Sequence, residues 1–222
     1  MNDSVKLYLI RHGQSLNNAL PEYQRVEDPC LTDLGERQAA CLADWAKEFR
    51  PSRLLVSPFR RTLQTARPLH QATGLPCEIW ANLHERGGCY AGYQPSNFQG
   101  RPGMSGRQIL KAFPEAILVD EIGEEGWWKS QPRETDDEAR CRASEIIGRL
   151  VRTFASTDEV VACVMHADFK NLVVADLMNR EVEPEVPAIY RNASVTCFDF
   201  ESADEYHLER ENCVQHLSPD LL

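Results

Sequence analysis

Several residues that could do chemistry directly follow short apolar segments of this chain. The apolar run at residues 5–10 ends in the pair Arg11-His12, and a second run at residues 160–165 ends in His166. Two shorter apolar runs are followed by further charged residues, which are Arg60, Arg61 and Glu85. Imidazole can act as a nucleophile or carry a proton, guanidinium binds oxyanions, and a carboxyl group can move a proton. Together these residue types suit a site for an anion.

The flanking patterns predict the elements that must position these residues. Residues 5–10, 54–56, 77–80 and 160–165 are predicted to be strands, and residues 194–200 and 206–209 are the last strands. Helical spacing extends over residues 32–49, 60–71, 135–154 and 168–178, and a short helix opens at Ser105. Strands alternating with helices predict an α/β sheet, in which ligands bind at the carboxyl ends of the strands. The candidate residues should therefore converge at one edge of that sheet.

Composition limits the classes of partner. The chain has 222 residues, 42% hydrophobic and 26% charged, which suits a globular protein. Its formal net charge of −10 argues against nucleic acid or an anionic membrane, but not against a small anion held by local arginines. No segment has the length of a transmembrane helix or the pattern of a signal peptide, and the eight cysteines form no C-x-x-C pair. We therefore expect a cytoplasmic protein with reduced thiols.

Five motifs, taken in order, resemble those of the histidine phosphatase superfamily, which includes phosphoglycerate mutases and many small phosphatases. They are RHGQSLNN, LTDLGERQA, SPFRRTLQTA, LHER and the histidine after a late strand, and RNASVTCF resembles a late N-x-S-V segment of the family. The resemblance covers roughly residues 5–90 and 134–200. It implies a three-layer α/β/α fold with a mostly parallel central sheet, phosphoglycerate mutase-like. Residues 1–222 would form a single domain, with a cap insertion at about residues 87–133.

The resemblance also implies catalytic roles. His12 would attack phosphorus and form a phosphohistidine. Glu85 would protonate the leaving alkoxide and then take a proton from water. Arg11, Arg61 and His166 would hold the phosphoryl oxygens, with His166 as an imidazolium. Because arginine and imidazolium would supply the positive charge, the resemblance implies no metal and no other cofactor.

Three further residues are predicted to bind substrate. Asn18 and Ser15 would add neutral hydrogen-bond donors, and Arg86 follows the predicted acid. At the paired arginines, the resemblance implies Arg61, since the family's spacing to the downstream T-A motif favours it over Arg60, which would be a helix-surface residue. The expected partner is a small-molecule phosphate ester. The sequence does not decide the oligomeric state, and a homodimer is one option.

Two departures from the family pattern bear on function. Ala167 follows His166 where the family commonly has glycine, which fits unless that position needs a positive φ. The segment after Glu85 lacks the mutase pattern Y-G-x-L-x-G-x-x-K, and its arginines suit solvated surface as well as substrate contact. Trp127 and Trp128 could line a ligand site, but we expect them to join the cap to the core.

These features favour a metal-independent phosphomonoesterase that acts on a small phosphate ester. A phosphoglycerate mutase-type phosphoryl transfer is the first alternative, since a mutase differs mainly in how its cap shields the phosphohistidine from water. The second alternative is a catalytically weak protein that binds phospho-ligands or other proteins.

Overall fold

The central feature of the fold is a mostly parallel sheet with helices on both faces. The computed structural model describes residues 4–155, 157–182, 189–203 and 205–222. Its strands are β1 (Val5–Arg11), β2 (Arg53–Val56), β3 (Cys77–Ile79), β4 (Tyr90–Ala91), β5 (Gln99–Gly100), β6 (Ala116–Leu118), β7 (Val160–Met165), β8 (Val195–Phe200) and β9 (Tyr206–Cys213). Its α-helices are α1 (Leu16–Ala19), α2 (Asp33–Phe49), α3 (Arg60–Thr73), α4 (Gly106–Ala112), α5 (Asp136–Phe154) and α6 (Ala167–Leu177).

The strand order of the main sheet is β6-β3-β2-β7-β1-β8-β9. The pairs from β6 across to β1 are all parallel, whereas β8 is antiparallel to both β1 and β9. β4 and β5 form a separate two-stranded ribbon. The α/β fold with a mostly parallel sheet predicted from the sequence is therefore confirmed.

Alternate residues of β1 pack against different helix layers. Tyr8 and Ile10 join the apolar cluster that contains residues of α2 and α3. Leu7 and Leu9 join the cluster that contains residues of α5 and α6. Because both faces of the strand are covered, its sequence is almost continuously apolar rather than alternating. This burial fixes the strand and thereby the position of the residues just beyond its end.

The helix ends follow the predicted capping residues. The Thr32 side chain accepts from the Gly35 amide at the start of α2, and Thr135 forms a capping box with Glu138 at the start of α5. α3 stops at Gly74, which has a left-handed φ of 76°. The sequence therefore predicted these boundaries to within a few residues.

The segment that was predicted as a cap insertion, residues 87–133, contributes a strand to the main sheet. Ala116–Leu118 forms β6 and pairs in parallel with β3, so this part extends the main sheet. Three apolar residues are too short a pattern to distinguish a strand from a loop, which is why β6 was not predicted. Trp127 and Trp128 are 7% and 8% exposed, and Trp127 packs edge-on against Phe59 at 4.7 Å between ring centroids. Their predicted role in joining this segment to the core is confirmed.

None of the described helices is long and apolar enough to span a membrane. All eight cysteines lie among the described residues, and each is a free thiol.

Candidate active site

The two predicted histidines meet because β1 and β7 are neighbours in the sheet. Arg11 pairs with Met165 at the carboxyl ends of these strands, so the next residue of each strand is a histidine. The His12 amide donates to the Met165 carbonyl at 3.0 Å. The ring centroids of His12 and His166 lie 5.2 Å apart. The sheet therefore brings together the two residues that the sequence separates by more than 150 positions.

His12 is held as a neutral imidazole in one tautomer. Its Nδ1 lies 2.6 Å from the Gly13 carbonyl oxygen, which can only accept, so Nδ1 carries the proton. The lone pair is then on Nε2, which accepts from Arg61 Nε at 3.1 Å. Burial, together with Arg61 and Arg11, lowers the pKa of His12 well below the ordinary 6.5. A neutral imidazole with an available Nε2 is the form that can attack phosphorus.

The S-P-x-x-R-x-x-x-T-A motif supports His12 through two of its residues. Arg61 is 8% exposed, and its guanidinium lies over the Phe59 ring at 4.1 Å. Thr65 Oγ1 accepts from the Gly13 amide at 3.1 Å. A side chain at Gly13 would place Cβ 2.5 Å from the Gly35 carbonyl oxygen, so only glycine fits this close approach. The spacing of the motif thus fixes both the arginine and the loop that orients His12.

Arg11 is anchored from the opposite side of the site. Its Nη1 donates to the Tyr190 carbonyl, and its backbone amide donates to the Ser194 carbonyl at 3.0 Å. The Ser194 carbonyl also accepts from Lys170 Nζ at 3.2 Å. Lys170 is fully buried, and burial with the nearby Arg11 charge lowers its pKa well below 10.5. No sequence pattern indicated a buried position for Lys170, because a lysine on a helix is ordinarily a surface residue.

Glu85 lines the cleft, and its surroundings give its carboxyl group a pKa suited to acid and base catalysis. Its Oε1 accepts from the backbone amides of Arg86 and Phe169, both at 2.9 Å. Burial and the Asp168 carboxylate raise the pKa of Glu85 to about 7, although the Arg61 charge and the two amides act in the opposite direction. A carboxyl group with this pKa can both give and take a proton near neutral pH.

A buried ion pair holds the loop that carries Glu85. Arg142 donates from Nε and Nη2 to the two oxygens of Glu134, each at 2.7 Å, and from Nη1 to the His84 carbonyl at 3.0 Å. Glu134 also accepts from the Gly87 amide at 3.1 Å. The two side chains are 9% and 7% exposed. One ion pair therefore fixes the backbone on both sides of Glu85.

Arg142→Met is expected to lower the free energy of unfolding by about 3–5 kcal/mol, because the Glu134 carboxylate would stay buried without its cation. Urea denaturation measures this change. The control Arg107→Met removes the exposed partner of Glu124 and should cost less than about 1 kcal/mol. An Arg142→Met protein as stable as the wild type would contradict the role given to the pair.

His166 differs from its predicted state in two respects. Its side chain is fully buried, and it is not among the described residues that line the cleft beside His12. Burial and the Arg61 charge lower its pKa well below 6.5, so the unliganded protein holds a neutral imidazole and not the expected imidazolium. Nε2 shares a hydrogen bond with Ser57 Oγ at 2.7 Å, while Nδ1 is buried with no partner among the described residues. Ala167 is the first residue of α6 and has no positive φ, so it fits this position.

The cleft beside His12 has a volume of about 490 Å³. The predicted residues that line it are Arg11, His12, Ser15, Asn18, Arg61, Glu85 and Arg86. Residues between 17 and 27 form part of its wall, and residues between 88 and 98 with Arg133 form another part. Within the first of these segments, the residues from Glu22 to Glu27 had no sequence signal, because a rim that lies beside a site need have no periodic pattern. Arg60, the alternative to Arg61, does not line the cleft as described and places Nη2 3.7 Å from Met104 Sδ.

Asn18 is oriented with its amide nitrogen available to a ligand. Its Oδ1 accepts from the Ser15 amide at 3.0 Å, from Ser15 Oγ at 2.9 Å and from Asn192 Nδ2 at 3.2 Å. Because a backbone N–H can only donate, the oxygen must be the atom that faces Ser15. The Ser15 hydroxyl therefore donates to Asn18. In this arrangement Ser15 orients Asn18, whereas the sequence predicted that Ser15 donates directly to the substrate. Arg86 lies 3.7 Å from Asp136 and 3.9 Å from Asp168, so nearby acids already balance part of its charge.

One candidate group for a metal ion lies among the described residues. Asp199, His207 and Glu209 bring their ligand atoms within 4.8 Å of one another on β8 and β9. Lys6 Nζ already pairs there with Asp199 at 2.8 Å and with Glu209. These residues do not line the cleft as it is described, so the candidate chemistry of the cleft rests on its arginines, His12 and Glu85.

The geometry of the cleft agrees with a sequence comparison. Residues 7–213 match the profile of the histidine phosphatase superfamily (branch 1). The chain belongs to the histidine phosphatase superfamily. The resemblance inferred from the motifs is therefore confirmed.

Relatives of the chain include a phosphatase and a probable mutase. A glucosyl-3-phosphoglycerate phosphatase from Mycolicibacterium vanbaalenii is 26% identical over 183 residues, which span 80% of this chain and 76% of that protein. A probable phosphoglycerate mutase, GpmB, from Yersinia pestis is 37% identical over 81 residues, which span 36% of this chain and 38% of that protein. Membership of the superfamily with a phosphatase relative supports a phosphomonoesterase of the histidine phosphatase type.

Solved structures show the same fold. Bacillus stearothermophilus YhfR has a TM-score of 0.68 at 19% identity, covering 96% of this chain and 98% of that one. A mycobacterial glucosyl-3-phosphoglycerate phosphatase complexed with VO3 has a TM-score of 0.63 at 24% identity, covering 94% and 99% of the two chains. At these identities the likeness establishes the architecture.

The late N-A-S-V segment contacts the residues on either side of His12 through hydrogen bonds. Asn192 Nδ2 donates to Asn18, and the Ala193 amide donates to the His12 carbonyl at 3.0 Å. The Ser194 carbonyl accepts from the Arg11 amide. The segment therefore orders the two ends of the R-H-G-Q-S-L-N-N motif, which explains why it accompanies that motif.

Proposed function

We propose that this protein is a metal-independent phosphomonoesterase that hydrolyses a small-molecule phosphate ester through a phosphohistidine on His12. The observation that carries the proposal is the state of His12, a neutral imidazole whose Nε2 lies 3.1 Å from the Arg61 guanidinium in a polar cleft. Arg11 and Glu85 line the same cleft. A nucleophile, positive donors and a proton carrier are the three components that phosphoryl transfer needs.

In the first step, the phosphoryl oxygens of the ester accept hydrogen bonds from the N–H groups of Arg11 and Arg61. The Arg61 donor then turns from Nε2 to a phosphoryl oxygen and leaves the lone pair of His12 facing phosphorus. Attack forms the P–N bond and breaks the P–O bond to the leaving alkoxide, which receives the proton of Glu85. In the second step, Glu85 takes a proton from water, and the water oxygen displaces His12 from phosphorus. The Asn18 amide is proposed to donate to a phosphoryl oxygen, and His166 Nδ1 to donate once a phosphoryl group reaches it.

Phosphate release in the presence of EDTA tests this proposal. We expect turnover of p-nitrophenyl phosphate and of at least one alkyl phosphate, with EDTA causing no loss. Glucosyl-3-phosphoglycerate belongs in the panel because a relative 26% identical to this chain is named for it. Activity that EDTA removes and a divalent cation restores would overturn the metal-independent mechanism.

The mutase alternative is supported by the 37% identity to a probable phosphoglycerate mutase over 81 residues. It differs in the fate of the phosphohistidine, since a second substrate hydroxyl and not water takes the phosphoryl group. Isomerisation of 3-phosphoglycerate without free phosphate would establish the mutase and reject the phosphatase. A protein that forms no phosphoenzyme and turns over no ester would be the non-catalytic binding protein.

A further inference from the structure

Lys170 is a fully buried residue of α6 to which the proposed reaction assigns no role. Among the residues that the structure describes, its Nζ makes one hydrogen bond, to the Ser194 carbonyl at 3.2 Å, and no ion pair. The other four lysines of the chain are exposed or half-buried. A buried amine with a single hydrogen-bond partner costs free energy, because the amine gives up its hydration on folding.

The hydrogen bond from Lys170 does not explain why a lysine occupies this position. The Ser194 carbonyl also accepts from the Arg11 amide at 3.0 Å, so the carbonyl would stay paired without Lys170. A methionine has a side chain of similar length and would leave no buried carbonyl unpaired. Apolar replacement of a buried polar group of similar shape is often neutral or stabilising. The stability of the fold therefore gives no reason for an amine at this position.

The contacts of Lys170 connect it instead to both anchors of Arg11. Arg11 Nη1 donates to the Tyr190 carbonyl, and the Arg11 amide donates to the Ser194 carbonyl. Lys170 Nζ bonds to Ser194 and lies 4.4 Å from the centre of the Tyr190 ring. The Tyr190 hydroxyl donates to Glu211 at 2.8 Å, which fixes the other end of that ring. Lys170 therefore contacts both of the residues that set the position of Arg11.

The backbone of Lys170 belongs to the opposite half of the site. Its amide donates to the His166 carbonyl at 3.0 Å, one turn into the helix that begins beside His166. The preceding amide, that of Phe169, donates to Glu85. Lys170 thus joins the helix that contacts Glu85 to the segment at residues 190–194. A shift of this segment would move Arg11 relative to Glu85 and His166.

We propose that Lys170 is a positioning residue that acts through Arg11. It holds residues 190–194 at the distance from α6 at which the N–H groups of Arg11 meet the phosphoryl oxygens of the substrate. This inference rests on the proposed phosphomonoesterase activity. Misplacement of a binding group by about 1 Å can slow a reaction about 100-fold, so the effect of Lys170 on catalysis should exceed its effect on folding.

The substitution Lys170→Met tests the inference in the full chain, by phosphate release from p-nitrophenyl phosphate. We expect kcat/KM to fall about 10- to 100-fold, because a displaced Arg11 loses hydrogen bonds to the phosphoryl group. The midpoint of urea unfolding should be unchanged or higher. Lys170→Gln keeps an N–H donor and should recover part of the lost activity. The control Lys47→Met, at a lysine on α2 whose side chain is 61% exposed, should leave kcat/KM unchanged.

An Arg11→Met background separates positioning from general damage. If Lys170 acts through Arg11, Lys170→Met should change kcat/KM by less than about 3-fold in that background, measured at raised enzyme concentration. Wild-type kcat/KM in Lys170→Met, or an equal loss in both backgrounds, would show that the inference is wrong and leave the proposed function intact. A lower urea midpoint with no recovery in Lys170→Gln would likewise give Lys170 a structural role only. If the wild type releases no phosphate from p-nitrophenyl phosphate or from any alkyl phosphate, both the inference and the proposed function fail.

Discussion

Replacement of His12 by alanine is expected to abolish phosphate release, with a loss on the order of 10⁴- to 10⁶-fold in kcat. The reason is that Nε2 is the proposed nucleophile, and its tautomer is already set by the contact between Nδ1 and Gly13. Without it no phosphoenzyme can form. Labelling with a ³²P ester, quenched in alkaline detergent because the P–N bond of phosphohistidine is labile in acid, measures the covalent intermediate directly. Wild-type protein should retain label and the variant should not.

His207→Ala is the matched control, because His207 is exposed on β9 and does not line the cleft as described. It should keep both turnover and labelling. Label that persists in His12→Ala would show that another residue is the nucleophile. Label that survives acid would exclude a phosphohistidine.

Replacement of Glu85 by glutamine is expected to lower kcat for an alkyl phosphate by about 10²- to 10⁴-fold, the usual contribution of a general acid. Glutamine keeps the size and an oxygen that can accept from the Arg86 and Phe169 amides, but it cannot donate an acidic proton. The loss should be much smaller for formation of the phosphoenzyme from p-nitrophenyl phosphate, whose leaving group needs little protonation. Rapid-quench measurement of the first turnover separates this step from hydrolysis.

The pH dependence provides a second test of Glu85. Burial and Asp168 raise its pKa to about 7, so the protonated acid is lost as the pH rises through that value. For an alkyl phosphate, kcat/KM should therefore fall above about pH 7 in the wild type, and this decrease should be absent in Glu85→Gln. A decrease of kcat/KM that both proteins share would reflect ionisation of the substrate phosphate, whose second pKa is about 6. Glu48→Gln, at an exposed carboxylate on α2, should preserve the wild-type profile.

The sequence predicted which candidate residues follow the central strands. His12 and His166 follow strands that are buried on both faces, and such strands have an almost continuous apolar pattern that is easy to find. Parallel strands then place their carboxyl ends at one edge, so the meeting of the two histidines followed from topology. The motif spacing also selected Arg61 correctly as the arginine that lines the cleft.

Other features of the site depend on contacts between distant parts of the chain. Arg142 holds a loop 58 residues earlier through the His84 carbonyl, and Lys170 is buried against Ser194. Neither residue has a pattern that distinguishes it from a surface cation on a helix. The β6 strand and the rim at residues 22–27 were not predicted for a related reason, since three-residue strands and irregular loops have no reliable period.

By itself, the sequence determined the family, the α/β fold and the identities of the groups at the strand ends, because these follow from local apolar patterns and from motif spacing. Only the tertiary structure decided their chemical states. His12 and His166 are neutral and Glu85 titrates near pH 7, because burial and charges from other elements set the free energy of each protonation state.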